Sequence, residues 1–92
     1  MTDFMTRVEL HGGSAADYER LDQAMLSANF SKTIRSSRGL IYGMPSGTYF
    51  SQAFNLSAAD VRNLAIAAAR HTGLRYDVIT AAGDTAFALH PL

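Results

Sequence analysis

The 92-residue chain is 48% hydrophobic and 17% charged, and its eight Lys and Arg balance its eight Asp and Glu. That length suits one domain, residues 1–92, with a two-layer core, and the composition excludes a disordered chain. No cysteine is present, so disulfides, Cys-ligated metals and thiol catalysis are excluded together. No apolar run approaches the ~18 residues of a membrane span. Met1-Thr2-Asp3-Phe4 lacks the basic and apolar regions of a signal peptide, and a cytoplasmic protein is expected.

Residues 4–10 alternate, with Phe4, Thr6, Val8 and Leu10 on one face and Met5, Arg7 and Glu9 on the other. Period two with Phe, Thr and Val predicts a strand whose Val8 and Leu10 face the core. His11-Gly12-Gly13 breaks it. A helix is expected over residues 15–28, with Tyr18, Leu21, Met25 and Ala28 on its buried stripe. Residues 30–35 read as a second strand, and Ser36-Ser37-Arg38-Gly39 as a turn. Residues 40–44 either continue that strand beyond a bulge or form a separate short ribbon. Pro45 belongs at a strand end, Ser46-Gly47 is a turn, and residues 48–54 form a third strand.

A second helix is expected from Ser57 to about Thr72, with Val61, Leu64, Ala65, Ala68 and Thr72 inward and Gly73 as its stop. Its opening Ser57-Ala58-Ala59-Asp60 repeats Ser14-Ala15-Ala16-Asp17 letter for letter. In each copy a Ser N-cap can accept from a first-turn N–H, while the Asp three residues on can reach back. Residues 74–80 follow as a fourth strand. Residues 85–89 alternate enough to be a fifth, pairing within the chain or with a partner.

The order is β-α-β-β-α-β plus one strand, which predicts an α+β ferredoxin-like sandwich with an additional C-terminal strand. Both helices should cover one face of an antiparallel sheet with the strands in the order 4-1-3-2. Val8, Leu21, Met25, Val61, Leu64 and Val78 are the expected core. The uncovered sheet face is the natural surface for a homodimer.

Charge is unevenly placed. Residues 1–31 carry a net −3, whereas residues 32–75 set Lys32, Arg35, Arg38, Arg62, Arg70 and Arg75 against Asp60 alone. A balanced total argues against strong non-specific nucleic-acid binding but allows a local basic patch. Lys32, Arg35 and Arg38 place three cations around a hairpin tip, with Tyr42, Tyr49 and Phe50 nearby in sequence. Cations track phosphates and aromatic faces stack on bases, so this is the expected single-stranded RNA surface.

The remaining polar residues read as structural. Glu9 and Asp77 should be neighbours on the uncovered face, within reach of Arg7. His11, His71 and His90 have no metal-ligand spacing. His11-Gly12-Gly13-Ser14 opens a helix but lacks the Walker lysine and the dinucleotide glycine spacing. No Gly-x-Ser-x-Gly elbow is present. No cofactor or metal is expected.

Met25-Leu26-Ser27-Ala28-Asn29-Phe30-Ser31 and Leu56-Ser57-Ala58-Ala59-Asp60-Val61-Arg62-Asn63-Leu64 give the chain a resemblance to the GhoS family, over about residues 7–87. These are small ferredoxin-like proteins related to the CRISPR adaptation nuclease fold. The resemblance implies an RNA-acting protein, an antitoxin endoribonuclease that cleaves the messenger RNA of a membrane toxin. It places the first of the family's helix 1 arginines, in the catalytic region, on Arg20. The next arginine position falls on Asp22, where the charge is reversed. The alternative is a non-catalytic homodimeric interaction or regulatory module.

Overall fold

A computed structural model describes residues 1–90 and 92. Its central element is β1 (Thr2–Leu10), whose alternation buries Phe4, Thr6, Val8 and Leu10 on one face. The helix α1 (Ala15–Ser27) follows, then the short strands β2 (Thr33–Arg35) and β3 (Ile41–Gly43), and β4 (Thr48–Ala53). The helix α2 (Ala58–Ala69) runs into a 3-10 turn (Arg70–Thr72) before β5 (Tyr76–Ala82). β1 pairs antiparallel with β4 on one side and β5 on the other. The protein is therefore an α+β domain with two helices and antiparallel sheets.

Both helices open with a complete capping box. Ser14 Oγ accepts from the Asp17 N–H at 3.2 Å, and the Asp17 carboxylate accepts from the Ser14 N–H at 2.9 Å. Ser57 and Asp60 repeat the arrangement at 3.1 and 2.8 Å. Helix α1 ends in a Schellman motif: Asn29 takes φ 69°, its N–H donates to the Leu26 carbonyl, and Phe30 N–H reaches back to Met25. Phe30 is thereby delivered to the core. Gly73, with φ 73°, terminates the second helical segment as expected.

The core joins Phe4, Val8 and Leu10 of β1 to Leu21 and Met25 of α1, Tyr49 of β4, and Val61, Ala65, Ala68 and Ala69 of α2. Val78 is half-buried against it. Leu64 is a correction to the expected core, since its surface is 46% exposed. Helix α2 packs through alanines, which let its axis approach the sheet and turn Ala65 and Ala69 inward instead. Leu64 is left on the flank facing α1.

The expected order 4-1-3-2 is met only for its first three strands, because residues 30–35 do not join the main sheet as a strand. Phe30 leads into Ser31, which exchanges two backbone hydrogen bonds with Phe50 of β4, at 2.7 and 2.9 Å. Pairing with the main sheet stops there. Ser31 Oγ accepts from the Thr33 N–H at 3.1 Å and donates to the Thr33 carbonyl at 2.9 Å. A side chain that takes up these backbone groups competes with the ladder. The chain then forms a separate two-stranded ribbon, β2 with β3.

The strand expected over residues 85–89 is corrected for pairing within the chain: no ladder forms there. The C-terminal segment crosses instead toward the β2–β3 ribbon. Phe87 meets Tyr42 edge-to-face at 5.3 Å, and Leu92 N–H donates to the Ile41 carbonyl at 3.2 Å. Aromatic and apolar contact with the ribbon replaces strand pairing.

Candidate functional site

The β2–β3 ribbon, the helix-free side of β4 and the C-terminal segment enclose a groove of about 810 Å³. Arg35, Tyr42, Phe50, Gln52 and Phe87 line it, with Asp3 at one end. The ribbon's turn is held by Ser36 N–H donating to the Leu40 carbonyl at 2.8 Å and by Gly39 at φ 83°, a conformation glycine adopts without strain. Arg35 Nη1 donates to the Gly39 carbonyl at 3.0 Å, which fixes the guanidinium beside the tip. Arg38 is exposed on the turn itself. Asp3 accepts from Gln52 Nε2 at 2.8 Å.

Strand alternation separates the aromatic residues that neighbour one another in sequence. Phe50 opens toward the groove, whereas Tyr49 points to the helices and is fully buried. Tyr49 therefore has no face to offer a base. Lys32 goes with Tyr49: its Nζ lies 5.1 Å from that ring's centroid and donates to the Pro45 carbonyl at 3.1 Å. Of the three expected RNA contacts, Arg35 and Arg38 share the ribbon tip and Lys32 is held away from it.

Arg20 lies in the other layer. It pairs with Asp17 one turn earlier on α1 and borders a shallow groove between the helices with Leu64 and His71. The capping Ser14 backbone N–H and then its hydroxyl hold the Asp17 carboxyl below the usual range, with Arg20 adding to them. Asp22, two residues along, accepts a 2.5 Å hydrogen bond from the Tyr49 hydroxyl. Burial, and then this bond to a carboxylate, push the Tyr49 phenol far above its usual pKa. The Tyr49–Asp22 link gave no signal in the sequence, because 27 residues separate its ends.

Glu9 and Asp77 are paired neighbours on the helix-free face, as expected. Arg7 stands 3.8 Å from Glu9, while Asp77 takes His11 at 2.7 Å. Among the described residues no group of three His, Cys, Asp or Glu is placed to hold a metal ion, and no helix is long and apolar enough to cross a membrane. Phe87, like Gln52, is a groove residue that the sequence pattern did not assign to a site. Its alternation with Leu89 was the only signal, and it pointed to a strand. No protein-family model matches the chain, and a search of curated proteins returned no match.

Proposed function

We propose that this chain is a small ferredoxin-like RNA-acting protein that holds a single-stranded segment along the ribbon groove. One observation carries the reading: a fixed guanidinium, Arg35, shares one groove with three aromatic side chains, Tyr42, Phe50 and Phe87. Guanidinium groups bind phosphates and aromatic faces stack on bases with little regard to sequence. Arg38 at the exposed tip extends the phosphate track, and Lys32 reaches it only by leaving the Pro45 carbonyl. The ferredoxin-like layout is supported by the β4-β1-β5 order with Ser31 bridged to the outer side of β4.

The likeness to the GhoS family extends the reading to an antitoxin endoribonuclease of a toxin–antitoxin system, with Arg20 in the catalytic part. Arg20 and the groove lie on opposite sides of the sheet, so bound RNA would have to pass around a sheet edge for both to act on it. The geometry favours binding over cleavage.

The test is binding of unstructured RNA across a salt series. Arg35→Ala/Arg38→Ala flattens the slope of log K against log salt by about 1.4 units, at ~0.7 per phosphate contact. Adding Lys32→Ala brings the change to about 2 units only where Lys32 also reaches the strand. No binding by the wild type at low salt sinks the RNA reading. Loss of cleavage in Arg20→Ala, with folding and binding intact, supports the catalytic assignment; unchanged cleavage removes it.

A second reading, a homodimeric interaction or regulatory module, is favoured by Ile79, which is 68% exposed on the helix-free side of β5. The two are compatible, since a dimer presents two groove tips to one strand and raises avidity.

A further inference from the structure

The two long edges of the main sheet are treated differently. On the β4 side, Ser31 exchanges both of its backbone groups with Phe50, and the ribbon follows. On the β5 side nothing pairs among the described residues, because the C-terminal segment crosses to the ribbon. Residues 76–82 contain no Lys and no Pro, and their register with β1 runs without a bulge. Those are the usual devices that prevent an edge from pairing.

The free peptide groups can be assigned. His11 N–H donates to the Arg75 carbonyl, and Gly83 N–H to the Asp3 carbonyl, both at 2.9 Å. In an antiparallel ladder the residues facing a given neighbour alternate. The odd-numbered residues 75–83 therefore turn their backbone groups to β1, and Tyr76, Val78, Thr80 and Ala82 turn theirs outward. Among the described residues, none of these four makes a backbone hydrogen bond outside the β1 ladder.

We propose that a second copy of this chain pairs with that edge, β5 against β5, about a two-fold axis at Ile79. This rests on the homodimer reading and gives it a surface, the strand edge in place of the sheet face. The register follows from the residues. Centring on Ile79 sets Tyr76 opposite Ala82 and Val78 opposite Thr80, so all four outward residues of each copy are used. Centring on Asp77 sets two carboxylates face to face, and centring on Val78 sets Asp77 against Ile79. Centring on Thr80 leaves Tyr76 beyond the strand's end. The chosen register also brings Arg75 of one copy next to the turn carrying Asp84 of the other. Ile79 then meets its own counterpart across the axis, which covers the large apolar side chain that β5 exposes. The two three-stranded sheets become one of six.

Sedimentation over a concentration series and amide hydrogen exchange of the full chain test this together. The wild type should dimerise, with slow exchange at Tyr76, Val78, Thr80 and Ala82. Ile79→Lys and Ile79→Glu, each alone, should weaken dimerisation about tenfold or more and free those amides, because like charges then face each other. An equimolar mixture of the two should restore the dimer. A wild-type dimer whose four edge amides exchange fast overturns the edge pairing and leaves the homodimer reading standing. A wild type that stays monomeric at millimolar concentration overturns both.

Discussion

The Tyr49 hydroxyl donates to the Asp22 carboxylate at 2.5 Å, tying the start of β4 to the middle of α1. Tyr49 has no exposed surface, so its hydroxyl depends on this partner inside the protein. Asp22 is half-buried and keeps some access to water. The two ends of the bond are unequal, and the mutations should be too. Tyr49→Phe removes a bond to a charged acceptor that water can partly replace, and should cost about 1–2 kcal/mol. Asp22→Ala leaves a buried donor unpaired and should cost ~1–3 kcal/mol. Urea denaturation of both variants checks the order.

The turn before β4 fixes a glycine. Gly47 has φ 74°, and a Cβ there would stand 2.5 Å from the Val8 carbonyl oxygen. Its own carbonyl accepts from the Val8 N–H at 2.7 Å. Gly39, at φ 83°, has open space around the same position. Gly39→Ala should therefore cost only the left-handed strain, about 1–2 kcal/mol. Gly47→Ala must also displace β1, and its denaturation midpoint should fall further than that of Gly39→Ala.

Leu64 and Leu21 lie on facing helices and have opposite fates. Leu21 has no exposed surface, and Leu21→Ala should cost ~2–5 kcal/mol through the cavity it leaves. Leu64→Ala removes a side chain that is nearly half in water, and should cost less than about 1 kcal/mol. Thermal melts of the two variants at one protein concentration separate them.

The capping aspartates set an acid limit. The Ser14 N–H and then its hydroxyl hold Asp17 below its ordinary value of 3.8, and Ser57 does the same for Asp60. A folded-state pKa below the unfolded one means stability that is fully present above about 3.8 and is lost as pH falls through the folded value. Asp17→Asn and Asp60→Asn should melt below the wild type at pH 7. The gap should close as the pH is taken well below 3.8. Melting temperatures from pH 2 to 7 test this, and a gap that widens in acid contradicts it.

Much of the fold is legible because it is set locally. A capping box needs only four consecutive residues, and the repeated Ser-Ala-Ala-Asp starts both helices where the sequence puts them. The alternation of residues 4–10 sorts β1 into two faces without reference to any neighbour. Arg35 and Arg38 were likewise expected at an exposed turn, and the turn is there.

Tertiary structure decided everything that depends on which surface an element meets. Leu64 fits a helical stripe as well as Ala65 does, but close packing of α2 on the sheet favours the smaller side chains, and Leu64 stays outside. Lys32 lies three residues from Arg35, yet the ribbon's departure from the sheet sends one to Pro45 and the other to the groove. Residues 85–89 alternate like a strand, but alternation cannot name a partner, and Phe87 packs on Tyr42 with no ladder within the chain. Asp22 reads as a surface charge in sequence. Only the approach of β4 to α1 gives it Tyr49, because that bond joins two segments whose meeting the whole core determines.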